Sequence, residues 1–158
     1  MLRDYPHERR PVGRTPSELV TTMSEAFADR DWERLRRLYH PEAQLQAVMA
    51  GEGFLSGTEL VSAFQRAVDD SGYRPPSWSS ARDIDEHAAL ITGVAGRRLE
   101  HRGLTEGSRA WVMTFRDGLL YRSRFFATAN QALRCYREHG VDLGIAEGDA
   151  ASQPDRAP

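Results

Sequence analysis

No lysine occurs in the 158 residues; all 21 basic residues are arginine. A Schiff-base lysine and a phosphate-loop lysine are therefore both excluded. The all-arginine usage itself reads as a bias toward GC-rich codons. Cysteine occurs once, at Cys135, so an intrachain disulfide and a cysteine-rich metal site are excluded too. No run of about 18 apolar residues exists, and no membrane-spanning helix is expected. The opening "MLRDYPHERRPVGR" lacks the apolar core of a signal peptide, which makes a cytoplasmic location the default expectation. The histidines show no H-x-H, H-x-x-H or H-E-x-x-H spacing. Neither a metal nor a cofactor is expected. Net charge is only −2, so no bulk attraction to nucleic acid or to an anionic membrane follows.

What remains is ordinary for a soluble domain: 40% hydrophobic and 28% charged residues. The length suits one domain that can bury a core or line one small-molecule pocket. Residues 1–14 are rich in Pro and Arg and lack periodicity. The last stretch, 141–158, is rich in Gly, Ala, Asp and Pro. Both read as flexible tails around a domain over 15–140.

Within that domain "TPSE" at 15–18 is a capping box. Leu19, Val20, Met23, Ala26 and Phe27 then mark one face of a helix. Asp31 can cap a second, short helix with Trp32, Leu35, Leu38 and Tyr39 inward, stopped by "HP" at 40–41. "AQLQAVM" at 43–49 reads as a strand and "GEGF" as a turn. "SGTE" at 56–59 is a second capping box, opening a helix with Leu60, Val61, Phe64, Ala67 and Val68 on one side. From residue 77 the pattern changes to long strands separated by "DEH", "RGLTEG" and "RDG". Thr128 and Gln131 form a third capping box, and Gly140 is a natural helix stop. The order predicts an α+β fold: N-terminal helices packed on a strongly curved antiparallel sheet, giving a cone with a cavity inside.

The hairpin "WVMTFRDGLLYRSRFFAT" carries the inner wall. A two-residue "DG" loop would put Arg122 and Arg124 on the face of Trp111, Met113 and Phe115. A buried, unpaired guanidinium is very costly. A three-residue "RDG" loop pairs Phe115 with Leu119, Met113 with Tyr121 and Trp111 with Ser123. Trp111, Met113, Phe115, Leu119, Tyr121, Ser123 and Phe125 then share the concave face. Val112, Thr114, Leu120, Arg122, Arg124 and Phe126 share the other. The second register is the one expected. The outer face is still partly apolar, and a homodimer through it is expected.

Three stretches in this order, "FADRDWERLRRLYHPEAQLQ", "SGTELVSAF" and "WVMTFRDGLLYRSRFFATANQALR", resemble the nuclear-transport-factor-2-like (NTF2-like) superfamily. The likeness is to its SnoaL-like, ketosteroid-isomerase-like branch and covers roughly residues 15–140. It implies a cystatin-like cone, a pocket between the first helices and the concave sheet, and frequent homodimers. Members include isomerases, polyketide cyclases, epoxide hydrolases, dehydratases and proteins without known catalysis. Carried over residue by residue, the isomerase oxyanion Tyr falls at Met23, the general base at Ala47 and the protonated acid at Trp111. The inner carboxylate of epoxide hydrolases falls at Phe125. None of these can move a proton.

The pocket residues expected are Met23, Phe27, Tyr39, Ala47, Phe64, Trp111, Met113, Tyr121, Ser123 and Phe125. Tyr39, His101 and Tyr121 are the candidate proton-transfer groups. Glu100 and His101 point to opposite faces of a strand, so one of them at most enters the pocket. "DIDEH" at 83–87 reads as a solvated turn, His40 as an exposed helix end and Cys135 as a small apolar filler. Gln46 can face either side. Three functions stay open: a binder of a small hydrophobic molecule, a cyclase, dehydratase or isomerase-type enzyme, and a dimerisation module with a closed pocket.

Overall fold

A computed structural model describes residues 13–46, 53–71, 77–94 and 108–145. Helix α1 spans Pro16–Ala28, α2 Trp32–Arg36, α3 Gly57–Ser71 and α4 Ala129–His139. Strand β1 spans Tyr39–Gln46, β2 Phe54–Ser56, β3 Ser77–Asp85, β4 Ala88–Val94, β5 Ser108–Arg116 and β6 Leu119–Phe126. All three capping boxes form. The Thr15 and Thr128 hydroxyls accept from the Glu18 and Gln131 N–H groups, with the reciprocal side-chain bonds present. Ser56 and Glu59 exchange the same pair of bonds at 3.2 Å. Asp31 caps α2 by accepting the Arg34 N–H.

The six strands form one sheet in the order β2-β1-β6-β5-β4-β3. It is mixed rather than wholly antiparallel, because β1 runs parallel to β6. Strand β1 begins earlier than its sequence suggests. Tyr39 opens the strand instead of closing α2, and His40 and Pro41 lie inside it. A register shift between Tyr39 and Gln44 takes up the proline, since Pro cannot donate to a regular ladder.

The β5–β6 hairpin corrects the expected loop. Arg116 pairs with Leu119 across a two-residue turn. Asp117 and Gly118 both have positive φ, 57° and 76°, the tight turn whose twist suits a hairpin. Phe115 pairs with Leu120, but Thr114 pairs with Arg122. Tyr121 is therefore the extra residue of a β-bulge. Beyond it Met113 faces Ser123 and Trp111 faces Phe125. The bulge, not a longer loop, moves Arg122 and Arg124 to the outer face. Leu120 joins the inner core in place of Leu119.

Two cores result. The inner one joins α1, α2 and α3 to the sheet through residues such as Val20, Leu35, Leu45, Val61 and Ile91. The outer one covers Leu90, Ala110 and Val112 with Ala132 and Cys135 of α4 and with Leu143 and Ile145. Leu143 and Ile145 are 0% and 3% exposed. The packed chain thus runs past the boundary expected at 140, because these two side chains complete the outer core. Helix α4 packs on the outer face of β4–β6.

A Cβ on Gly93 would run into the Ser77 carbonyl oxygen and lie 2.8 Å from Trp78 Cα. Backbone atoms cannot give way cheaply. Gly93→Ala is therefore expected to lower unfolding stability by roughly 1–3 kcal/mol, read as a drop in urea midpoint. An unchanged midpoint would show that β3 does not approach β4 this closely.

Candidate functional site

The inner wall assembles as the alternation of β5 and β6 requires. Met23 of α1, Phe64 of α3, Trp111 and Met113 of β5 and Tyr39 of β1 are buried together, with Phe27 and Phe125 packed partly buried against them. The Phe27 ring meets Phe64 edge-on at 4.9 Å and Trp32 at 6.0 Å, a favourable aromatic geometry. Ser123 lies opposite Met113 and is 4% exposed. Ala47, Glu100 and His101 lie outside the described residues.

Tyr121 does not join this group. Its ring lies between two guanidinium groups, Arg116 at 4.0 Å and Arg122 at 3.9 Å from the centroid. His40 meets it edge-on at 5.3 Å. The bulge aims the ring away from the inner core, so Tyr121 is not a wall donor there. His40 is also not the exposed helix end expected. It sits in β1 with its side chain 13% exposed, near Asp117, and its Nδ1 accepts the Glu42 N–H.

No charged residue is buried in the described inner wall; Arg109, half-buried, shares the face of Trp111 and Met113 on β5, where it pairs with Gly93. The buried polar or charged residues among those described are Thr114, Arg122 and Ser123. Thr114 donates its hydroxyl to the Val141 carbonyl at 2.7 Å, on the α4 side. Arg122 donates to the carbonyls of Glu42 and Tyr121 and to the Tyr121 hydroxyl. That leaves Ser123 inside, with the Tyr39 phenol. Burial alone raises the Tyr39 pKa well above the ordinary tyrosine value. A phenol held neutral this firmly can donate a hydrogen bond but cannot serve as a base.

One wall residue was missed by sequence reasoning. Trp78, on edge strand β3, packs against the inner core and meets Trp111 edge-on at 6.1 Å. Its indole Nε1 is buried without a hydrogen-bond partner among the described residues. Its flanking serines, "SWSS", disguise it as a solvated edge. The signal available was a lone Trp three residues before Ala81, which also packs inward.

The remaining candidates have structural employment. Asp83 accepts the Ser17 N–H at the start of α1. Asp85 accepts the His87 N–H and the Tyr136 hydroxyl. Gln46 accepts the Phe125 N–H through its side chain. Cys135 is buried in the outer core, where burial pushes its thiol pKa up. At the end of the sheet bearing the two tight turns lies a groove of about 1060 Å³, floored by Leu19, Leu38 and Phe115 and edged by His87, Arg116 and Asp117. None of the described residues expected in the pocket lines it.

Among the described residues no helix is long and apolar enough to cross a membrane. The chain matches no protein-family model and no curated protein. Its shape is similar to many solved structures. An NTF2-like protein of Burkholderia thailandensis superposes with TM-score 0.59 at 21% identity, over 76% of this chain and 98% of that one. A cystatin-fold protein of Novosphingobium aromaticivorans gives 0.57 at 12% identity, over 72% and 99%. A Sinorhizobium meliloti protein, proposed to be a polyketide cyclase, gives 0.53 at 16% identity, over 69% and 94%. These likenesses establish the NTF2-like, cystatin-like α+β cone fold.

Two phenols, Tyr39 buried and Tyr136 half-buried, set an alkaline limit on stability. Tyr136 is pushed up to about 12, by burial first and then by its bond to Asp85, and Tyr39 is raised by burial. Both bind their proton more tightly folded than unfolded, where the pKa is about 10. The stability they contribute is intact below about pH 10 and is lost as pH rises above it. Urea melts at about pH 8 and about pH 11 should show wild type losing more stability than Tyr39→Phe. Equal losses would place the Tyr39 hydroxyl in water.

Proposed function

We propose that this chain is a SnoaL-like protein that binds a small neutral apolar molecule between its N-terminal helices and the inner sheet face. The observation that carries this reading is a described inner wall without a buried charge, in which the Trp78 indole N–H is buried and unpartnered among the described residues. Met23, Phe27, Phe64, Trp111, Met113 and Phe125 supply apolar area, and Ser123, Tyr39 and Trp78 supply neutral polar contacts. Apolar walls with a few polar groups characterise small-molecule sites.

The enzyme reading has less support. Proton transfer needs a base. Tyr39 is held neutral and Tyr121 lies away from the wall, stacked between arginines. A cyclase, dehydratase or isomerase would then depend on His101. The likeness in fold to a protein proposed to be a polyketide cyclase is compatible with either reading, because fold does not fix chemistry.

Native mass spectrometry of the purified chain tests the proposal and reads the oligomeric state. The expected spectrum shows a neutral organic mass lost on denaturation. Phe125→Arg, at the partly buried edge of the wall, should abolish its retention while leaving the melting temperature near wild type. A chain that carries no such mass, and that leaves the fluorescence of the apolar dye Nile red unchanged, sinks the reading.

A further inference from the structure

Trp78 is aimed by three features of the backbone and its neighbours. Strands β3 and β4 shift register between Trp78 and Ser80, and such bulges redirect side chains. Trp78 pairs with Gly93, where the absence of a Cβ lets the two backbones close up. The Trp111 ring then fixes the indole edge-on. The outcome is a rigid donor whose N–H finds no acceptor among the described residues. A buried unsatisfied donor is costly and calls for an explanation.

Tyr39 and Ser123 differ from it in kind. A hydroxyl rotates and both donates and accepts, whereas an indole N–H only donates. Of the three, Trp78 alone discriminates by the chemistry of its partner. We propose that Trp78 is the specificity-determining residue of the inner site, selecting molecules that present a hydrogen-bond acceptor to its Nε1 over plain hydrocarbons. This rests on the small-molecule reading above and narrows it. A hydrocarbon leaves the donor unsatisfied. A carbonyl or ether oxygen satisfies it.

Two probes on one skeleton separate these cases: indane and 1-indanone. The full chain is labelled with nitrogen-15, and its three Trp residues give indole cross-peaks assigned with Trp78→Phe. The ketone should move the Trp78 Nε1–H downfield and bind roughly three- to ten-fold more tightly than indane. Trp78→Phe should erase the preference for the ketone, read as the ratio of the two affinities in the same variant. If indane and indanone bind equally and the Trp78 peak stays still, the inference is overturned while small-molecule binding stands. If no probe moves any indole peak, binding and selectivity fall together.

Discussion

The extra residue in β6, at Tyr121, gives both faces of the sheet their character. Without it, the tight Asp117–Gly118 turn would carry Arg122 opposite Met113 and Arg124 opposite Trp111. Each guanidinium would then lie against apolar side chains at a cost of several kcal/mol. With it, Arg122 lies opposite Thr114 and Arg124 opposite Val112. Arg122 is still only 5% exposed, yet no carboxylate pairs with it among the described residues. Two carbonyl oxygens, one phenol oxygen and the face of Tyr121 stand in for a counter-ion. The bulged residue thus solvates the charge that the bulge relocates, through the ring face.

Arg124 and Thr114 also tie the chain after α4 to the sheet. Arg124 donates to the Leu143 carbonyl at 2.9 Å, and Thr114 donates to that of Val141. These bonds sit at the end of α4, whose last carbonyls lack intrahelical partners, and they direct Leu143 and Ile145 into the outer core. The apolar outer face of β4–β6 is therefore covered from within the same chain. A second subunit is not needed to remove that part of the face from water.

Helices were legible because their ends are written locally: a Ser or Thr, then a Glu or Gln three residues later, then an apolar stripe. The meander was legible from alternation and turns. The hairpin was half legible, for an instructive reason. A three-residue loop and a two-residue loop with one bulged residue each displace the far strand by one step, in opposite directions, so they agree on faces and differ in partners. Both put Trp111, Met113, Ser123 and Phe125 on one face, so polarity could not distinguish them. They differ next to the turn, where Leu119, Leu120 and Tyr121 exchange sides. Tyr121 was misplaced there. The start of β1 was hidden because Pro41 argues against a strand unless a bulge absorbs it. Leu143 and Ile145 were hidden in a stretch whose composition resembles a tail. Burial depends on what covers a residue, and composition does not report that.

The same geometry that places an apolar wall inside the cone limits the chemistry the wall can do. A serine needs a neighbouring base to become a nucleophile, and Ser123 faces Met113. A phenol whose proton is held by burial supplies a hydrogen bond to developing charge but takes no proton from carbon. Electrostatic stabilisation without a base lowers only one half of a proton-transfer barrier. The described wall can orient a ligand, exclude water from it and polarise an acceptor atom. A reaction that also needs proton removal has to draw that step from a residue beyond these strands. Binding itself has no such requirement. Ser123, the Tyr39 phenol and the Trp78 indole keep one protonation state through the neutral range, so the recognition proposed for this wall would rest on shape and on the direction of one indole N–H.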